Sequence, residues 1–264
     1  MIELKNIYYA PEHGKFGLLD LYTPSGAINC PIVIVIHGGA LREFSKERMD
    51  GIATWIAQQR WVVININYRL LPDCSYPAPL EDTLAACRWV LEGKHKELER
   101  HDLGRVALLG ASAGGFLALA AGLILGSQHV RAIVSISGPT QPGWYGQDAT
   151  REGHDPRLFC APSELVGPDA PSILAVHSRN DKLVAPEESA AIVEGMQSAG
   201  RSARLYLFDG PGEQHGIWRN TQEPLYLFPH IEGAIADFLR ENFRVANLSH
   251  FDSFAKDTLS ARPA

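Results

Sequence analysis

The chain has 264 residues, 45% of them hydrophobic and 20% charged. That balance suits one large α/β domain with a buried core and excludes a disordered chain. The net charge of −6 is spread without a basic block, which argues against nucleic acid or an anionic membrane surface as a partner.

In chain order, residues 2–9 and 17–23 read as two short strands around the turn Pro11-Glu12-His13-Gly14, laid down before the main sheet. The β-branched run Ile32-Val33-Ile34-Val35-Ile36 has the signature of a strand buried on both faces, as in a parallel sheet covered by helices. A helix is expected over 48–59, a strand over 61–67, a proline-rich loop from Pro72 to Pro79 and a helix over 80–92. Strand 105–109 then enters the turn Gly110-Ala111-Ser112-Ala113-Gly114, and helix 113–125 leaves it. Strands 131–137 and 172–176 follow, separated by a Pro- and Gly-rich connection, 138–171, long enough to carry small helices or a function. Helix 186–199, strand 203–208 and a helix over 224–242 complete the pattern. The alternation predicts a doubly wound, mostly parallel sheet with helices on both faces and antiparallel N-terminal strands. Residues 1–244 read as one domain, with 138–171 as a small lid or pocket insertion and 245–264 as a loosely packed tail.

Met1 leads directly into Ile2-Glu3-Leu4-Lys5 with no charged-then-apolar leader, and no apolar run reaches the roughly 20 residues of a membrane span, so a cytoplasmic location is expected. Cys30, Cys74, Cys87 and Cys160 are scattered, and none forms a CxxC pair. They read as reduced thiols rather than zinc ligands or a redox motif.

The chemistry centres on Ser112. A strand that stops at a glycine, with a serine two residues on and a second glycine closing the pattern, forces the serine into strained geometry at the end of the sheet. Side chains at Gly110 and Gly114 would collide with the neighbouring strand and helix. In an open α/β sheet functional groups gather at the carboxyl ends of strands, and three such ends supply what the serine lacks. His37-Gly38-Gly39-Ala40 follows strand 32–36, and the N–H groups of Gly38 and Gly39, with that of Ala113, are candidates for an oxyanion hole. Taken alone, His-Gly-Gly is also compatible with a plain tight turn. Asp181, just past strand 172–176, is the candidate acid; Asp209 is its rival. His215, in the loop Gly210-Pro211-Gly212-Glu213-Gln214-His215-Gly216, is the candidate base. His37 is expected to fix the oxyanion loop and His177 to be buried and structural. His230, His13, His95, His101, His129, His154 and His250 read as surface or loop residues. Arg69, Glu81 and Asp82 read as structural. Leu41, Trp144, Tyr145, Phe159 and Trp218 are candidate pocket residues, although the aromatic residues of 138–171 would serve equally as anchors to the core.

These segments together resemble the α/β-hydrolase superfamily, from about residue 17 to 240. Within it the chain is similar to the hormone-sensitive-lipase-like and small feruloyl-esterase-like and arylformamidase-like enzymes. His37-Gly38-Gly39, Tyr68-Arg69-Leu70, Pro77 to Asp82, Gly110 to Gly115, Asp181 with Val184, and His215-Gly216 carry the resemblance. Ala40 stands where a third glycine is usual, Leu41 where an aromatic or small apolar residue is frequent, and Asn67 where aspartate usually precedes Tyr-Arg-Leu. Only about thirty residues precede His-Gly-Gly, too few for the N-terminal cap helices of many such enzymes. The resemblance implies a serine carboxylesterase working through an acyl-enzyme, with no metal or organic cofactor and a small or medium soluble ester as partner. Arylformamidase, lactonase or small peptidase activity would fit the same residues. A ligand-binding protein on a hydrolase fold is the reading from another class, and a homodimer is left open.

Overall fold

The arrangement of layers follows from which residues of each strand face which side. In a computed structural model, described for residues 1–141, 152–211, 215–220 and 222–244, eight strands form one sheet in the order β1-β2-β4-β3-β5-β6-β7-β8. They are β1 Ile2–Tyr8, β2 Leu18–Thr23, β3 Ile32–Ile36, β4 Val62–Ile66, β5 Val106–Ala111, β6 Ala132–Ile136, β7 Ser172–Ser178 and β8 Ala203–Phe208. From β4 onward along that order every pair is parallel; β1–β2 and β2–β4 are antiparallel. Successive side chains alternate between the two faces. Ile32, Ile34, Ile36, Val106 and Leu108 enter one core, while Val33, Val35, Ala107 and Leu109 enter the other.

Among the described residues five α-helices cover those faces: α1 Asp50–Gln58, α2 Ala78–Leu91, α3 Ala113–Leu125, α4 Pro186–Ser198 and α5 Pro229–Phe243. The first core takes Leu84 and Cys87 of α2, Phe116 and Leu117 of α3, and Ile192 and Met196 of α4. The second takes Ile52 and Ile56 of α1, and Ile231, Ile235 and Leu239 of α5. Helix α3 is apolar all round and buried from Ala113 to Leu123, the pattern of a central helix.

Two expected helix boundaries move. The segment 48–59 divides into a 3₁₀ turn, Lys46–Met49, and α1. The last helix begins at Pro229 rather than 224. Pro229 occupies the first helical turn, where its missing N–H costs no helical bond. Residues just before it are extended, with Leu227 bridged to Trp218. The described part of 138–171 carries two short 3₁₀ helices, Pro156–Phe159 and Pro162–Leu165. All four cysteines are free thiols, and burial pushes that of Cys87 up to about 12.

Asn67, at the departure from the usual aspartate, uses both ends of its amide. Its Oδ1 accepts from Lys46 N (2.7 Å), and its Nδ2 donates to Lys15 O (2.9 Å). A carboxylate could not make the second bond. The bond to Lys46 fastens the segment that follows the loop after β3. The Lys46 ammonium itself is buried 3.1 Å from the Asp20 carboxylate.

Candidate active site

Ser112 lies between β5 and α3 with φ 54° and ψ −124°. A residue with a Cβ rarely occupies this left-handed region. The turn is made possible by the absence of side chains around it. A Cβ on Gly110 would strike the Gly114 carbonyl, and one on Gly114 would strike the carbonyl oxygens of Ile36 and His37. The Ser112 N–H donates to Ile136 O (2.8 Å), tying the turn to the end of β6.

Three strand ends then converge. His215 Nε2 is 2.9 Å from Ser112 Oγ, and His215 Nδ1 is 2.8 Å from Asp181 Oδ2. With a proton on Nδ1 donated to the carboxylate, the Nε2 lone pair faces the serine hydroxyl. Asp181 Oδ1 accepts the backbone N–H groups of Leu183 (2.9 Å) and Val184 (3.0 Å). Its side chain has no exposed surface. Burial alone would raise this carboxyl. Donors from His177, His215 and the Val184 backbone outweigh it and hold Asp181 far below the usual carboxylate range. The rival, Asp209, is exposed and pairs with Arg179 at 3.3 Å.

The loop after β3 is fixed from behind. The His37 ring stacks on Tyr68 with centroids 4.2 Å apart, and the Tyr68 hydroxyl donates to His37 O (2.9 Å). His37 Nδ1 lies 2.7 Å from Gly38 O. Burial, only partly offset by that backbone bond, pushes the imidazole down to about 4. At neutral pH the ring is therefore uncharged, and Nδ1–H donates to the carbonyl. In a planar trans peptide the C=O and the following N–H point in opposite directions. Tying back the carbonyls of His37 and Gly38 thus turns the N–H groups of Gly38 and Gly39 away from Tyr68 and His37. The Ala113 N–H, first in α3, is among those that a helix leaves without an internal partner.

A cleft of about 230 Å³, open to solvent, lies over Ser112 and His215. Its walls include Glu43, Phe44, Arg48, Met49, Leu183 and Trp218. Of the expected pocket residues, Trp218 is there, while Trp144 and Tyr145 fall outside the described residues. Leu41 is a correction: it is fully buried in the first core. Ala40 and Leu41 both have positive φ (51° and 61°), which folds the loop back, and Leu41 O accepts from Leu71 N at 2.7 Å. Ala40 lines the cleft instead. Phe159 also belongs to the core, packed edge-on to Tyr76.

Arg69 makes a bidentate pair with the buried Asp82, at 2.7 and 2.9 Å, and Glu81 lies 3.8 Å from the same guanidinium. His101, expected as a surface or loop residue, lies in the loop after a short 3₁₀ turn and is buried there; His250 lies outside the described residues. Among the described residues no group of three or more His, Cys, Asp or Glu side chains could hold a metal ion, and no helix is long and apolar enough to cross a membrane. Two features escape sequence reasoning. The polar cleft residues Glu43 and Arg48 lie in the loop after Gly39 and in the 3₁₀ turn Lys46–Met49, and no periodicity marks either as facing the cleft. His177 is buried as expected, but it also touches Asp181, at 3.1 Å. Its place four residues before the acid, at the same strand end, is the signal that could have pointed to it.

Comparison with known proteins gives a consistent picture. A family model described as BD-FAE matches residues 19–141. Esterase LipI of Mycobacterium tuberculosis is 33% identical over 132 residues, 44% of this chain and 41% of LipI. Esterase LipC of the same organism is 26% identical over 217 residues, 71% of this chain and 53% of LipC. The chain thus spans about half, or less, of the length of these curated relatives. Among solved structures, a truncated carbohydrate esterase from gut microbiota superposes with a TM-score of 0.76 at 22% identity, covering 92% of this chain and 96% of the other.

Proposed function

We propose that this chain, an α/β hydrolase resembling the hormone-sensitive-lipase-like and feruloyl-esterase-like serine esterases, hydrolyses carboxylic esters through an acyl-enzyme intermediate. The observation that carries the reading is the unbroken hydrogen-bonded line from Ser112 through His215 to a buried, ionised Asp181.

In this reading His215 takes the Ser112 proton as Oγ attacks the ester carbonyl carbon. Asp181 holds the tautomer and stabilises the imidazolium. The N–H groups of Gly38, Gly39 and Ala113 bind the oxyanion of the tetrahedral intermediate; losing one such donor costs about 10²–10³ in rate. His215 then protonates the departing alcohol, and a water, activated in the same way, releases the acid. The relatives named as esterases support the reaction class. An open cleft with both apolar and charged walls supports a small or medium soluble ester.

Labelling with a fluorophosphonate tests the assignment. Wild type is expected to be labelled and Ser112→Ala to be neither labelled nor active. An unlabelled wild type, or equal labelling of the variant, rules the reading out. The kcat/KM values for an aryl acetate, N-formylkynurenine and a peptide anilide then rank ester against amide chemistry, with the acetate expected to lead.

A further inference from the structure

The proposed reaction gives work to one of the two histidines that touch Asp181. His177, on β7, is fully buried and takes no part in the proton transfers. A buried imidazole costs free energy unless its nitrogens are satisfied, and here both are, in one arrangement. Nε2 faces two acceptors, Asp181 Oδ2 at 3.1 Å and Val184 O at 3.1 Å, so it must carry a proton. Nδ1 lies 2.7 Å from the hydroxyl of Ser189, a buried residue of α4. In the neutral ring that hydroxyl donates to Nδ1, which fixes the tautomer with its proton on Nε2.

The Asp181 carboxylate then faces four N–H groups, one of which, that of His177 Nε2, it shares with Val184 O. Oδ1 takes the backbone of Leu183 and Val184, while Oδ2 takes His215 from the front and His177 from behind. Every partner is a donor, so a proton on the carboxyl would find no acceptor.

Resting on the hydrolase reading above, we propose that His177, oriented by Ser189, is a positioning residue for the acid of the triad. Its Nε2–H holds Oδ2 in line with His215 Nδ1, and it couples the register of β7 and the seating of α4 to the orientation of the catalytic imidazole. It touches no reacting atom. Its effect passes through Asp181 to His215.

The test compares His177→Leu, His177→Gln and Ser189→Ala with wild type. Active sites are counted by fluorophosphonate labelling, and rates on an aryl acetate are expressed per labelled site across pH. The leucine variant removes the donor. It should lower kcat per labelled site by about tenfold to a hundredfold, as small misplacements in an active site do, and leave KM near wild type. The acid limb of its kcat/KM profile should move to higher pH, because a carboxylate with one donor fewer stabilises a protonated His215 more strongly. The glutamine variant can still donate from its amide and should recover much of the loss. Ser189→Ala should fall between leucine and wild type. A purely structural role would lower thermal stability and the labelled fraction, but leave the rate per labelled site and the acid limb unmoved; that result overturns the proposal. Glutamine performing no better than leucine overturns it too. If the leucine variant does not fold, Ser189→Ala decides, and an unchanged rate per site there is fatal. An unlabelled wild type removes the hydrolase reading and this inference with it, whereas a labelled wild type with an unaffected His177→Leu removes this inference alone.

Discussion

Two aspartates end neighbouring strands, and their surroundings separate them by more than their positions do. Asp181 is enclosed by four donors, whereas Asp209 lies in solvent beside Arg179. Asp181→Asn should therefore lower kcat by about 10⁴, since an amide cannot hold the same imidazole tautomer. Asp209→Asn should change it little; steady-state assays of the two variants make the comparison. His37 gives a second prediction at this scale, on stability. Burial lowers its value from 6.5 to about 4 in the folded chain. The unfolded chain therefore binds the extra proton more readily, so the contribution of neutral His37 is complete above about pH 6.5 and is lost as pH falls toward about 4. Urea midpoints should decline over that interval. His37→Asn keeps a donor for Gly38 O and cannot titrate, so it should flatten that part of the decline.

The elements show how closely the turn around Ser112 is packed against its neighbours. Gly114→Ala would drive a methyl group into the carbonyl oxygens at the end of β3. It should cost about 1–3 kcal/mol in chemical denaturation, as overpacking does. It should also lower kcat in the proposed reaction, because the collision pushes Ser112 away from the loop after β3. This part of the molecule was legible in the sequence, since small residues at fixed offsets have no other use there. The β-branched run of β3 was legible for the same kind of reason: a strand buried on both faces needs apolar residues at every position. The pocket wall was not. Between Gly39 and Phe44 the backbone takes positive φ at four positions, Gly39, Ala40, Leu41 and Phe44. Three of those carry side chains that ordinarily avoid such angles. No periodic rule predicts that Leu41 turns inward while Phe44 lines the cleft. Helix α5 begins five residues beyond its expected start because apolar residues continue upstream of Pro229, and only the extended pairing of Leu227 with Trp218 shows where the helix cannot begin.

At the scale of the molecule, the parallel part of the sheet brings the carboxyl ends of β3, β5, β7 and β8 to one edge, and the candidate site needs all four. Ser112 and His215 meet across 103 residues of chain, and Asp181 enters from a strand between them. Contacts of such long sequence separation are slow to form, since the chain between them must be ordered first. Reactivity toward a fluorophosphonate therefore serves as a clock for the end of refolding. After dilution from denaturant, helical circular dichroism should recover before labelling does, because α3 can form next to Ser112 while β7 and β8 are still undocked. Simultaneous recovery of the two signals would mean that the sheet closes in a single step. A chain interrupted before β8 would display its serine at the tip of a finished turn and remain chemically inert.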